Sequence, residues 1–146
     1  MKYLLAAVVL LFGGNISGQT GAFAPGNGIR TWYQTFGSGA PVLIINGGPG
    51  ISSEGFAEIA GLLAKGNRSI IYDQRGTGRT VLPRKDASTL TIALMAADIE
   101  ALRQHLGYES WIVMGHSFGG MLASYYAANY RSGCGRSSCL LPVASI

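Results

Sequence analysis

Histidine is scarce in this chain: His105 and His116 are the two present among 146 residues. A reaction that needs an imidazole base must therefore draw on one of them. Cysteine is equally rare, and Cys134 and Cys139 both lie near the C-terminus. An exported chain could join them, but C-x4-C with no histidine or further cysteine beside it is not a zinc or redox pattern. No metal and no cofactor is expected. An excess of one charge is also missing where it would matter. Eleven Lys and Arg face seven Asp and Glu, yet Lys2 lies at the extreme N-terminus and Arg131 and Arg136 near the other end, so eight face seven over the body of the chain. Without a basic stripe interleaved with aromatics, a nucleic-acid partner is not expected. Gly76-Thr77-Gly78 lacks the G-x-x-x-x-G-K-[ST] context that would make it a phosphate loop. Finally, no apolar run reaches the roughly 20 residues that span a bilayer.

What is present begins with a leader. Lys2 precedes an unbroken apolar run from Leu4 to Phe12, the layout of a secretory signal peptide. Cleavage is expected after Gly18 or, through Ala22-Phe23-Ala24, after Ala24. Residues 1–24 are thus assigned to a signal peptide and the mature chain to an exported, periplasmic or secreted location, with no membrane association once the leader is removed.

The body alternates strands and helices. Ile29 to Phe36 alternates as an edge strand, closed by the turn Gly37-Ser38-Gly39. Val42 to Ile45, Ser69 to Tyr72 and Trp111 to Met114 are short apolar runs of the kind buried on both faces of a sheet. Helices are expected over Glu54 to Ala64 (Ser52 and Ser53 capping, with Phe56, Ile59, Ala60, Leu62 and Leu63 at helical spacing), Thr91 to Leu106, and Phe118 to Tyr130. Strand–helix alternation with right-handed crossovers implies an α/β fold: a mostly parallel sheet with helices on both faces.

Three loops, each directly behind a buried strand, hold the unusual sequence: Asn46 to Gly50, Asp73 to Gly78 and Gly115 to Gly120. In an open parallel sheet such loops share one rim, where ligands bind. Gly115-His116-Ser117-Phe118-Gly119 is a G-x-S-x-G turn between strand and helix, which exposes a serine Oγ at a helix N-terminus. Ser117 is the candidate nucleophile. The backbone N–H of Phe118 and the Gly47-Gly48 turn are the candidate oxyanion hole. Asp73 and Arg75 are expected to form a structural ion pair beside that turn. A serine hydroxyl needs a positioned base, and neither His116, inside the elbow, nor His105, at a helix end, is placed to be one.

Together, Asn46-Gly47-Gly48-Pro49-Gly50, Asp73-Gln74-Arg75-Gly76-Thr77-Gly78-Arg79-Thr80 and Gly115-His116-Ser117-Phe118-Gly119-Gly120 resemble the proline iminopeptidase branch of the α/β-hydrolases, over roughly residues 28 to 130. Asn46 stands where that family usually has histidine, and Thr80 where it has serine. The resemblance implies a serine hydrolase that removes an N-terminal residue, with a small peptide, amide or ester as substrate. An exported carboxylesterase-like hydrolase and a non-catalytic fragment or pseudoenzyme are the alternatives. It also implies that the catalytic acid and histidine follow the serine, beyond a cap domain. Neither is in this chain, so residues 25–130 read as the N-terminal part of a truncated α/β-hydrolase core, cap domain absent, inactive on its own.

Residues 131–146 are atypical and do not read as the strand expected next. If each codon is re-read from its third base, with TCN serine codons, one consistent reading of the tail is a leucine-rich run ending in Ser-Ser-Ser-Gly-Gly-Ile-Asp, which looks like the buried strand expected next. A frameshift near Tyr130 is the expectation. A chain ending here would leave its last strand edge unpaired and apolar, so aggregation or poor folding is expected.

Overall fold

Ten elements account for residues 21–139, the part of the chain that the computed structural model describes, with side chains to Gly133. They run β1 (Gly21–Gly26), β2 (Ile29–Gly37), β3 (Ala40–Ile45), a 3-10 turn (Ser53–Phe56), α1 (Ala57–Leu63), β4 (Asn67–Tyr72), α2 (Ile92–His105), β5 (Trp111–Gly115), α3 (Phe118–Asn129) and β6 (Cys134–Cys139). The strands form one six-stranded sheet in the order β1-β2-β4-β3-β5-β6. β1 and β2 are an antiparallel hairpin, and β2 is antiparallel to β4. From β4 onward every pairing is parallel. Each parallel step needs a crossover, which α1, α2 and α3 supply. No helix among the described residues is long and apolar enough to cross a membrane.

The three central strands are buried because they carry aliphatic side chains on both faces. Leu43, Ile45, Ile70, Tyr72 and Val113 point into a large core closed by Ile99 and Leu102 of α2 and Leu122 and Tyr126 of α3. Ile44 and Ile71, one residue out of phase, point the other way and meet Trp32, Phe36 and Ala60. α1 is the one helix on that second face. α2 starts on an N-cap, with the Thr91 side chain accepting from the Leu94 N–H at 3.2 Å. It ends at Gly107, whose φ of +72° a side chain would resist.

Several expectations are corrected. Ile29 to Phe36 is an interior strand, because Gly21–Gly26 pairs along its outer side. Ala24 is buried in the main core, so a cut after Ala24 would strip Gly21 to Ala24 from β1, whereas one after Gly18 leaves the strand whole. The first α-helix begins as a 3-10 turn, Ser52 makes no side-chain cap, and Ile59 and Leu62 are exposed. Ser53 is drawn away from capping by Asp73. The tail also departs from its reading, since Cys134–Cys139 pairs in parallel with β5, across a register shift between Trp111 and Val113. Ladder hydrogen bonds use backbone groups alone, so the open edge of β5 recruits a segment whose side chains did not advertise a strand. The side chains of Cys134 and Cys139, residues 1–20 of the expected leader and residues 140–146 lie outside the described residues.

At the amino-terminal edge of the sheet, Glu100 accepts from Arg103 (2.6 and 3.0 Å), Gln104 and the Tyr126 hydroxyl (2.7 Å). Arg103 also donates to the carbonyls of Tyr108 and Glu109. Burial alone would lift the Glu100 carboxyl, but Arg103, Tyr126 and Gln104 hold it below its usual range. This cluster ties α2, α3 and the start of β5 together.

Candidate active site

The turn from β5 into α3 is packed at backbone contact distance. Ser117 has φ +52° and ψ −120°, a conformation a side-chain-bearing residue adopts only under constraint. The constraint comes from packing. A Cβ at Gly115 would sit 2.6 Å from the Gly120 nitrogen and closer still to the Gly119 carbonyl, and one at Gly119 would strike the end of β3 at Ile45 and Asn46. Helix α3 therefore approaches β3 and β5 at backbone contact distance. Ser117 is exposed at the helix N-terminus and its side chain makes no capping bond. As the first residue of α3, Phe118 has an N–H with no partner within the helix.

Gly47 faces this turn. A Cβ there would lie 3.0 Å from the Ser117 Cβ and 2.7 Å from His116 Nδ1, so the Gly47-Gly48 backbone lies directly against the serine. Asn46, almost wholly buried, holds that loop from inside. Its amide donates to the carbonyls of Gly47 and Ile51, both at 3.1 Å. Gln74 donates to the Asn46 backbone carbonyl at 2.8 Å and to Asn46 Oδ1 at 3.2 Å. The backbone carbonyls can only accept, which fixes the orientation of both amides. The loops after β3, β4 and β5 thus meet.

Asp73 and Arg75 do not pair with each other, which corrects the sequence-based expectation. Asp73 is fully buried and takes neutral donors: the Ser53 N–H (2.8 Å) and hydroxyl (2.9 Å) on one oxygen and the Arg79 N–H (2.8 Å) on the other. It fastens the start of the 3-10 turn to the loop behind β4. Thr80 continues the brace, donating to the Asp73 carbonyl at 2.8 Å and accepting from the Trp32 N–H at 2.9 Å. Arg75 instead reaches Asp98 of α2 through two parallel bonds of 2.8 Å, with both side chains buried. Asn27, at the tip of the β1–β2 hairpin, also donates to Asp98. Burial pushes the Asp98 carboxyl above its usual range, against the opposing pull of Arg75 and Asn27. Burial, with Asp98 adding to it, likewise raises the Tyr72 hydroxyl well above its ordinary value.

Neither histidine faces Ser117 as a base would. His116 is exposed, with its ring 5.7 Å from Phe56, rather than packed into the sheet. His105 sits edge-on to Tyr33 at 5.9 Å in the last turn of α2, the end that leads into the start of β5 and away from the elbow. Among the described residues no His, Cys, Asp and Glu cluster suits a metal. Beside the elbow lies a cavity of about 490 Å³, walled by Pro49, Gln74, Leu90, Ile92, Met95 and Phe118. Its mostly apolar lining suits a small organic group.

Residues 40–139 match the family model described as alpha/beta hydrolase fold. Proline iminopeptidase of Lactobacillus helveticus is 36% identical over 111 residues, which are 73% of this chain and 37% of that protein. A probable proline iminopeptidase of Streptomyces coelicolor is 38% identical over 112 residues, covering 72% of this chain and 34% of the relative. The chain thus spans little more than a third of the length of the curated relatives it matches. Among solved structures, proline iminopeptidase of Mycobacterium smegmatis superposes with a TM-score of 0.72 at 32% identity, over 79% of this chain and 41% of that one. An epoxide hydrolase of Vigna radiata superposes with a TM-score of 0.74 at 24% identity, covering 83% and 38%, a likeness of fold alone.

Proposed function

The chain belongs to the alpha/beta hydrolase fold family, and from that premise we propose that Ser117 is the nucleophile of a serine hydrolase related to the proline iminopeptidases, cleaving an N-terminal residue or a related amide. The observation that carries the reading is the strained Ser117 backbone held against the Gly47-Gly48 turn. In this reading Oγ attacks the acyl carbon while the N–H groups of Phe118 and the glycine turn stabilise the developing oxyanion. The cavity between Pro49 and Phe118 receives the group next to the reacting carbonyl. Asn46, Gln74 and Asp73 keep the two loops in place without touching substrate.

The proposed cycle stops at the first proton transfer. Oγ must lose its proton to a base, and neither His105 nor His116 is positioned to take it. Our reading is therefore that the lineage is catalytic and this chain alone is not, its N-terminal leader directing it for export. We further propose that the reading frame shifts near Tyr130. Sequencing the underlying DNA tests this. An open shifted frame that encodes a further histidine and acid supports it, and early stop codons in that frame refute it. With that frame restored, hydrolysis of a prolyl arylamide in preference to a simple aryl ester would identify the aminopeptidase, and the reverse order an esterase.

A further inference from the structure

Five arginines of the described chain are used in two different ways. Arg75, Arg84 and Arg103 each pair with a carboxylate. Arg30 and Arg79 instead place their guanidinium carbons over aromatic rings, Arg30 4.8 Å from the Phe23 centroid and Arg79 4.3 Å from that of Trp32. Phe23 and Trp32 are directly opposite each other in the β1–β2 ladder, so they share one face of the hairpin and their rings are neighbours. Two guanidinium groups are thus stacked over an adjacent aromatic pair. Stacking fixes the plane of each while leaving its N–H edges free to bind an oxyanion. Both arginines line a groove of about 680 Å³, together with Phe23, Pro25, Ile29 and Val81, and no carboxylate lines it. Phe23 and Val81 are 40% and 71% exposed, and Arg30 and Arg79 are exposed beside them, so the groove is open to solvent and sets apolar and cationic groups side by side.

From this juxtaposition we infer that the groove is a binding site for a small anionic amphiphile: an apolar body ending in a carboxylate. The planar carboxylate matches the fork of a guanidinium, and the body covers Phe23, Pro25 and Val81. Uncompensated like charges on neighbouring rings favour an anion between them and give binding its specificity over neutral analogues. The site is separate from Ser117 and does not depend on catalysis.

Trp32 lies beneath Arg79 at the edge of the groove and reports through that contact, while Trp111, the second tryptophan, is buried in the other core. Intrinsic fluorescence of the chain at low protein concentration is titrated with octanoate, octanol and octyl phosphate. Octanoate is expected to give a saturable change about tenfold tighter than octanol and weakened by salt. Arg30→Gln with Arg79→Gln should abolish the difference between acid and alcohol while leaving the circular dichroism spectrum unchanged. Equal affinity for octanoate and octanol in the unmodified chain overturns the proposal, whatever the variants do. Octyl phosphate binding with no response to octanoate overturns the carboxylate assignment. Because binding is read directly, a failure here is independent of whether Ser117 ever acylates.

Discussion

The two faces of the sheet are built to different degrees. On one, α2 and α3 close over Leu43, Ile45, Ile70, Tyr72 and Val113, and Tyr126, Trp111 and Ile99 complete a continuous core. On the other, α1 covers Ile44 and Ile71 together with Trp32 and Phe36, while Met114 of β5 is only partly buried and Ile59 and Leu62 of α1 face outward. The elbow belongs to both: its strand lies in the sheet, and its helix lies on the finished face. The difference shows that the helix behind Ser117 rests on the more fully covered face. Ser117 is shaped by the glycines of its own turn and by the distant loop after β3, where Gly47 lies against it and Asn46 and Gln74 hold that loop. Neither His105 nor His116 faces it as a base would.

The sharpest way to break the finished face is through its buried ion pair. Asp98→Asn strands the buried Arg75 guanidinium and should cost about 3–5 kcal/mol in urea unfolding. Arg75→Met strands a carboxylate that can protonate, so it should cost less. Because the native Asp98 pKa lies above its unfolded value, the unfolded chain binds fewer protons between the two values. Stability from this group is therefore full below the unfolded pKa and declines as pH rises toward the native one. The Arg75→Met penalty should accordingly shrink between pH 7 and about pH 5, and the Asp98→Asn penalty should persist. Equal penalties at both pH values would contradict this.

The next comparison sets neighbours against each other. Ile70 and Ile71 are both fully buried but point to opposite faces. Ile70→Ala should cost about 4 kcal/mol, because the packed core cannot collapse around the hole, and Ile71→Ala about 2 kcal/mol. A reversed order, measured by chemical denaturation, would mean that the α1 face is the better packed. Asn46→Ala removes the donors to Gly47 and Ile51 and should cost about 1–3 kcal/mol, with faster amide exchange confined to the Gly47–Ile51 turn. The smallest effect belongs to the cap of α2: Thr91→Ala should lower stability by about 1 kcal/mol, read as a shift in the denaturation midpoint.

Local features were legible in the residues before any coordinates. The glycines around Ser117 announce a backbone contact, and the apolar runs of β3, β4 and β5 announce strands buried on both sides. Long-range partnerships were not. Asp73 and Arg75 are two apart and opposite in charge, which invites a pairing. In the folded loop Asp73 is taken up by Ser53 and Arg79, while Arg75 turns to α2, and only the packing of that helix reveals Asp98 as its partner. The hairpin strand β1 was hidden for another reason, since its small residues also fit a leader's cleavage region. Gln74, which reaches Asn46 across 28 positions, carried no local signal. The stacking of Arg30 and Arg79 depends on strand register, which no linear pattern encodes.

The central proposal is that Ser117 is a shaped nucleophile against which no base is placed among the described residues. Labelling with a fluorophosphonate probe at pH 7, followed by peptide mapping and compared with Ser117→Ala, measures that directly. Modification of Ser117 barely above the Ser117→Ala background is the predicted result. Rapid, stoichiometric labelling of Ser117 in the folded chain would contradict it, because it would require an activating base among the residues present.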